Sequence, residues 1–326
     1  MSKLTERICK LTSADSVELG DVIQELWSGY GVIQRAVLHR AEPIRVVIKR
    51  IDLSEMRENR RGWASDVSHQ RKVRSYQIEQ RFYASFAGRC DATCRVPAFI
   101  AADADEDGSG SLMVLEDVDD AGFEVRKQDV VPTDMSACLA WLANFHATFM
   151  SCEAEGLWPV GTYWHLETRP DEFAAMADGP LKRSARQIDQ RLNQARFQTL
   201  VHGDAKVANF CFSRGATVAA VDFQYVGLGC GMKDVAYFIS SCLNEREAAD
   251  RQDSLLAEYF QQLQAALARR QAAINFEMLE DEWRALYPFA WADFCRFLSG
   301  WSPGHWKLNG YSERVTQSVL ATLRHS

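Results

Sequence analysis

The sequence predicts an α+β protein in which strands come first and helices follow. Before residue 118, apolar residues alternate or run in short blocks, as in Ile44-Arg45-Val46-Val47-Ile48-Lys49-Arg50-Ile51 and Leu112-Met113-Val114-Leu115. Those are the patterns of half-buried and fully buried strands. Beyond Ala121 the period lengthens: Leu139, Leu142, His146 and Phe149 recur at helical spacing within Met135–Met150. Size is the third observation. A chain of 326 residues with 47% hydrophobic content can bury a sizeable core, and its length suggests about two domains. The change of pattern divides it into residues 1–118 and 119–326, joined directly near Val118 to Ala121 without a flexible tether.

Each element has its own local reason. Gly29-Tyr30-Gly31, after Ser28, is a turn that leads into the apolar strand Val32 to Leu38. In the next strand Val47, Lys49 and Ile51 share one face. A lysine on an apolar face needs a partner, or burial would neutralise it. The helical stretch Ser68 to Phe86 offers one, with Glu79 beside the apolar Ile78, Phe82 and Phe86. The acidic run Asp103 to Gly110 reads as a solvated turn. Its aspartates are spaced as for Ca²⁺, but the downstream bidentate glutamate is missing. Leu112 to Val118 is a buried strand that ends in acids. In the second half, Met135–Met150 is nearly uncharged and reads as a core helix, with His146 a core histidine. Arg169-Pro170-Asp171-Glu172 reads as a helix start. Asp253 to Arg270 is amphipathic, and Glu277 to Trp301 is an aromatic-rich helix or helix pair.

The chemistry is concentrated in His202-Gly203-Asp204-Ala205-Lys206-Val207-Ala208-Asn209, followed by Val221-Asp222-Phe223. Two carboxylates and a carboxamide stand at fixed offsets on a loop between apolar segments. Asn209 to Ser213 and Val218 to Val221 read as two strands joined through Arg214-Gly215-Ala216-Thr217. That hairpin brings Asn209 near Asp222, so both side chains can share one cation. Mg²⁺ takes a few hard oxygen ligands plus substrate phosphates, and this pair supplies the ligands. Phosphoryl transfer also needs an acid that orients or deprotonates the attacking hydroxyl. Asp204, five residues before Asn209, has the spacing of the H-R-D-x-x-x-x-N loop.

His202 through Phe223 resembles the catalytic core of the protein-kinase-like superfamily, in its small-molecule branch of aminoglycoside phosphotransferases, choline kinases and ecdysteroid-kinase-like enzymes. His-Gly-Asp points to that branch, and Asp222-Phe223-Gln224 most resembles the ecdysteroid-kinase-like group. The resemblance implies a two-lobed protein-kinase-like fold: an N-lobe of antiparallel sheet plus helix, and a larger, mainly helical C-lobe. It implies ATP and Mg²⁺ as cofactors, Asp204 as catalytic base, Asn209 and Asp222 as metal ligands, and Lys206 steadying the transferred phosphate. Lys49 would grip phosphate, positioned by Glu79. Gly29 and Gly31 would belong to a phosphate-covering loop, although Gln34 stands where a third glycine would complete it and a simple turn fits equally. The backbone around Glu116 and Val118 would line the adenine pocket. Asp234, only 12 residues after Asp222, leaves no room for an activation segment, so a small molecule rather than a protein is the expected acceptor. Asp234 reads as an N-cap or as a tether to the catalytic loop.

Composition narrows the remaining classes. A net charge of −7 argues against nucleic acid as principal partner. No run of 18 apolar residues suggests a membrane span. The charged first residues lack an apolar signal region, and the nine cysteines form no Cys-x-x-Cys. A cytoplasmic protein with reduced thiols is expected. Seven of the nine tryptophans follow residue 118; aromatic walls there would suit a quaternary ammonium or a flat apolar alcohol. Trp291 and Asp293 are pocket candidates, though a tryptophan on a buried helix is usually core. The run Tyr163 to Pro170 serves acceptor binding or lobe packing. A nucleotide-binding pseudokinase and an AMP-transferring enzyme on the same fold remain alternatives.

Overall fold

The computed structural model describes residues 2–26, 29–53, 66–105, 110–215 and 217–324. Ser28 of the glycine turn, 106–109 of the acidic run and Ala216 of the hairpin turn lie outside them. The first half contains α1 (Lys3–Thr12), β1 (Ser16–Glu25), β2 (Gly31–His39), β3 (Ile44–Asp52), α2 (Asp66–Ser85), β4 (Phe99–Ala104) and β5 (Gly110–Glu116). The five strands form one antiparallel sheet in the order β1-β2-β3-β5-β4. On one face Val46, Ile48, Leu112 and Val114 pack under Ile8 of α1. The alternation of β3 sends Val47 and Lys49 to the opposite face, where α2 lies.

The second half is mainly helical. It holds α3 (Pro132–Thr148), α4 (Pro170–Ala175), α5 (Pro180–Asn193), α6 (Met232–Cys242), α7 (Glu245–Arg269), α8 (Phe276–Trp301) and α9 (Gly310–Arg324). Between α5 and α6 lie four short strands, β6 (Thr199–Val201), β7 (Phe210–Phe212), β8 (Val218–Ala220) and β9 (Gly227–Gly229). They pair antiparallel as β6 with β9 and β7 with β8. The stretch Glu277 to Trp301 is one helix, with Pro288 inside it. Among the described residues no helix is long and apolar enough to cross a membrane.

One apolar core joins the halves. Ile78, Phe82, Tyr83, Met113 and Leu115 of the N-lobe belong to the same cluster as Trp141, Phe145, Phe210, Phe223 and Trp283 of the C-lobe. At its centre Phe82 stacks on Phe223 with ring centroids 4.0 Å apart. A two-lobed α+β kinase-like fold results, with a cleft where the lobes meet.

Candidate active site

The β7–β8 hairpin behaves as its sequence requires. The Val221 amide donates to the Asn209 carbonyl at 3.0 Å, which closes the hairpin and sets Asn209 next to Asp222. Asp222 itself has φ +68°, a left-handed conformation that aspartate tolerates better than most residues. His202 is fully buried. Its Nδ1 accepts the Asp204 amide at 3.2 Å, and its Nε2 donates to the Val221 carbonyl at 3.0 Å. One imidazole therefore couples the Asp204 loop to the strand that delivers Asp222.

A second support comes from α6. Asp234 accepts the backbone amides of His202 at 2.6 Å and Gly203 at 2.9 Å. His146 pairs with the same carboxylate at 3.1 Å, and its other nitrogen meets the Tyr259 hydroxyl at 2.7 Å. Asp234 is thus the tether to the loop, while the N-cap of α6 is Gly231. His146 is a buried structural residue with both nitrogens engaged.

The side chains singled out by the sequence meet in one cleft of about 760 Å³. Lys49, Glu79, Glu116, Val118, Asp204, Lys206, Asn209 and Asp222 all line it. Lys49 and Glu79 form a buried ion pair at 2.5 Å. The Asn209 amide nitrogen donates to the Asp204 carbonyl at 2.8 Å and to its Oδ2 at 3.1 Å. Lys206 Nζ donates to that Oδ2 at 3.0 Å. The other oxygen of Asp204, and Oδ1 of Asp222, are buried with no hydrogen-bond partner among the described residues. Buried polar atoms are nearly always partnered, so two orphaned carboxylate oxygens in one cleft mark where something binds. Hard carboxylate and carboxamide oxygens suit Mg²⁺, and the free oxygen of Asp222 with the Asn209 carboxamide oxygen would hold it.

The two carboxylates are pushed in opposite directions. Burial, reinforced by Asp222, raises the Asp204 carboxyl above the usual range. Burial would do the same to Asp222, but Lys49, Lys72 and Lys206 outweigh it and hold that carboxyl low. Glu79 is pushed up by burial against the pull of Lys49.

At the roof, Gly29 sits in the turn between β1 and β2 and Gly31 opens β2, and Tyr30 rather than either glycine lines the cleft. Gly31 has φ +142°, and a Cβ there would lie 1.9 Å from the Arg50 carbonyl. Its glycine is thus required by the close approach of β3. The Glu116 side chain is engaged by Arg95 and by the Ala98 amide, and the Val118 carbonyl accepts the Phe123 amide at 2.9 Å. Asp103 and Asp105 of the acidic run pair with Arg7.

Other cleft residues were not picked out as site residues by the sequence. Lys72 lies two turns before Glu79 on the same face of α2 and donates to the Gln224 side chain at 2.7 Å. The seven-residue spacing to Glu79 was the available signal, masked by the charge around it. Arg71, Tyr225 and Phe297 also line the cleft, as does Arg169 from the run Tyr163 to Pro170 that the sequence offered for acceptor binding. Among the described tryptophans only Trp301 does so. Trp291 donates to Ser312, and Asp293 accepts from buried Trp164 and Arg296; both belong to the core.

Residues 161–272, which include all of His202 to Phe223, match the ecdysteroid kinase-like family. The fold is shared with an amicoumacin kinase solved with AMP-PNP and Ca²⁺: TM-score 0.53, 12% identity, 98% of this chain and 92% of that chain. The family match covers about a third of the chain, and the structural likeness shows a kinase-like fold. A second member of that fold, a Ralstonia eutropha JMP134 protein assigned to the aminoglycoside phosphotransferases, gives TM-score 0.50 and 12% identity over 94% of this chain and 89% of that chain. No curated protein matches the sequence.

Proposed function

We propose that the protein is an ATP·Mg²⁺-dependent kinase that phosphorylates a hydroxyl group of a small molecule. The observation that carries this reading is the pair of buried, unpartnered oxygens on Asp204 and Asp222, set in one cleft with the Lys49–Glu79 ion pair. Asp204, its pKa raised, is the base. It orients the acceptor hydroxyl and receives its proton as the acceptor oxygen bonds to the γ-phosphorus and the bond to the β,γ-bridging oxygen breaks. ADP leaves. Lys206 and Lys49 place positive charge along the phosphates, and Glu79 fixes Lys49. The turn containing Gly29 and Gly31 covers the phosphates, and the backbone of Glu116 and Val118 borders the base. Asn209 and Asp222 would hold Mg²⁺, which would supply neutralisation of phosphate charge.

Opposite environments for two carboxylates are the usual means of separating a base from a charged ligand, and that separation supports the division of roles. ADP release from ATP·Mg²⁺ is the test, run against a panel of alcohols with wild-type protein and Asp204→Asn. Turnover lost in the variant, with the product heavier by one phosphate, is expected. A product heavier by AMP, or nucleotide binding without turnover of any alcohol, would contradict the reading.

A further inference from the structure

Past the transferring end, the cleft continues toward α4 and the end of α8, and there its charge is positive. Arg71 donates to the Thr168 carbonyl at 2.7 Å, which places it one residue from Arg169. Arg169 is 8% exposed and donates to Glu172 at 3.0 Å. Its guanidinium lies over the rings of Tyr163 and Phe297, 5.7 and 5.3 Å from their centroids. Glu172 is paired with Arg169. Among the described residues Arg71 hydrogen-bonds neutral groups, the Thr168 carbonyl, the Ser68 hydroxyl and the Tyr225 phenol, while the charge of Glu172, paired with Arg169, only partly offsets that of Arg169 on it.

Two guanidiniums held together repel. Burial and then Arg169 lower the pKa of Arg71, although arginine normally stays charged under all conditions. Tyr225 reports the same field: burial would raise its phenol, yet Lys72, Arg169 and Arg71 bring it below the usual value. An anion between the arginines would remove the repulsion, and a guanidinium fork matches carboxylate and phosphate oxygens in pairs. The aromatic wall beside them, where Phe297 stacks on Trp301 at 5.7 Å, suits a ring or apolar body.

We propose that the acceptor is an alcohol that also bears an anionic group, carboxylate or phosphate, bound by Arg71 beside Arg169, with its body against Phe297 and Trp301. The proposal rests on the phosphotransferase reading above and names its substrate class. It disfavours quaternary ammonium and polyamine alcohols, which two adjacent guanidiniums would repel.

Calorimetry on the protein saturated with AMP-PNP and Mg²⁺ tests it with four probes: mandelate, glycerol 2-phosphate, mandelamide and choline. At least one of the two anions should bind about tenfold or more tighter than mandelamide and choline, the size of one charge-assisted contact. Mandelate alone would identify a carboxylate site, and glycerol 2-phosphate alone a phosphate site. In Arg71→Met the preference for the winning anion over mandelamide should fall toward one, and in Arg71→Lys by less. Mandelamide or choline binding as tightly as both anions, or a preference unchanged in Arg71→Met, would overturn the proposal. The wild-type comparison decides even if a variant fails to fold. Failure of AMP-PNP to bind at the outset would count against the kinase reading instead, so the two failures are distinct.

Discussion

Asp204 and Asp222 have the same side chain and opposite surroundings, and the division of labour follows. Asp204 has one oxygen engaged by Lys206 and Asn209 and the other unpartnered. Replacing it with asparagine keeps the shape and removes the proposed base. The expected result is a fall in kcat of about 10²–10⁴ with AMP-PNP·Mg²⁺ affinity retained, read by steady-state turnover and calorimetry. Asp222→Ala should act differently: nucleotide affinity measured with Mg²⁺ should drop roughly tenfold or more, toward the value without metal. Equal affinities for variant and wild type would exclude Asp222 as ligand. These residues were legible because a short hairpin fixes their offsets. Lys72 and Arg71 were not, since α2 is rich in charge and its sequence does not say which charges turn inward.

At the level of elements, α6 holds the catalytic loop through one carboxylate. Asp234→Ala would leave two buried amides and His146 without their partner. Unpartnered buried donors cost about 1–3 kcal/mol each, so chemical denaturation should show a loss of at least about 3 kcal/mol. Turnover should fall more than nucleotide affinity, because the disturbed segment carries Asp204. Gly203 beside it has φ +80°, and a Cβ would lie 2.1 Å from the Tyr225 carbonyl; no other residue fits that bend. The sequence left Asp234 open between cap and tether, since both place an acid in a helix's first turn. Burial decided between them. The polar β1, exposed along most of its length, shows little alternation, and α1 went unread although Leu4, Ile8 and Leu11 recur at helical spacing and pack on the sheet.

At the level of the molecule, the lobes share a core and should unfold together. Phe82 of α2 stacks on Phe223, one residue from Asp222. Phe82→Ala should cost about 3–5 kcal/mol, and because α2 carries Glu79, nucleotide affinity should fall with it. Circular dichroism and tryptophan fluorescence should trace one coincident transition in wild type; two separate transitions would show the lobes to be independent. Lys307 sets a pH dependence. Burial against Tyr237 and Phe294 brings its pKa from 10.5 down to about 8. Between those values the unfolded chain holds a proton that the folded one has released, so this group makes stability rise with pH across that window. Lys307→Met should abolish that rise in denaturation midpoints measured from pH 7 to 10. The β-then-α division of the chain was legible in its periodicity; of the acceptor end only the run Tyr163 to Pro170 was flagged, because residues from α2, the segment before α4 and α8 converge there only in three dimensions.

The central claim is convergence of Asn209, Asp222 and Lys49 on one metal-bound triphosphate within reach of Asp204. Crystals grown with AMP-PNP and Mn²⁺ test it most directly, since anomalous scattering locates the metal without assumption. Mn²⁺ should be ligated by the Asp222 and Asn209 side chains, with the triphosphate lying along Lys49 and its γ-phosphate facing Asp204. A metal held by other residues, or nucleotide absent from the cleft between the lobes, would contradict it.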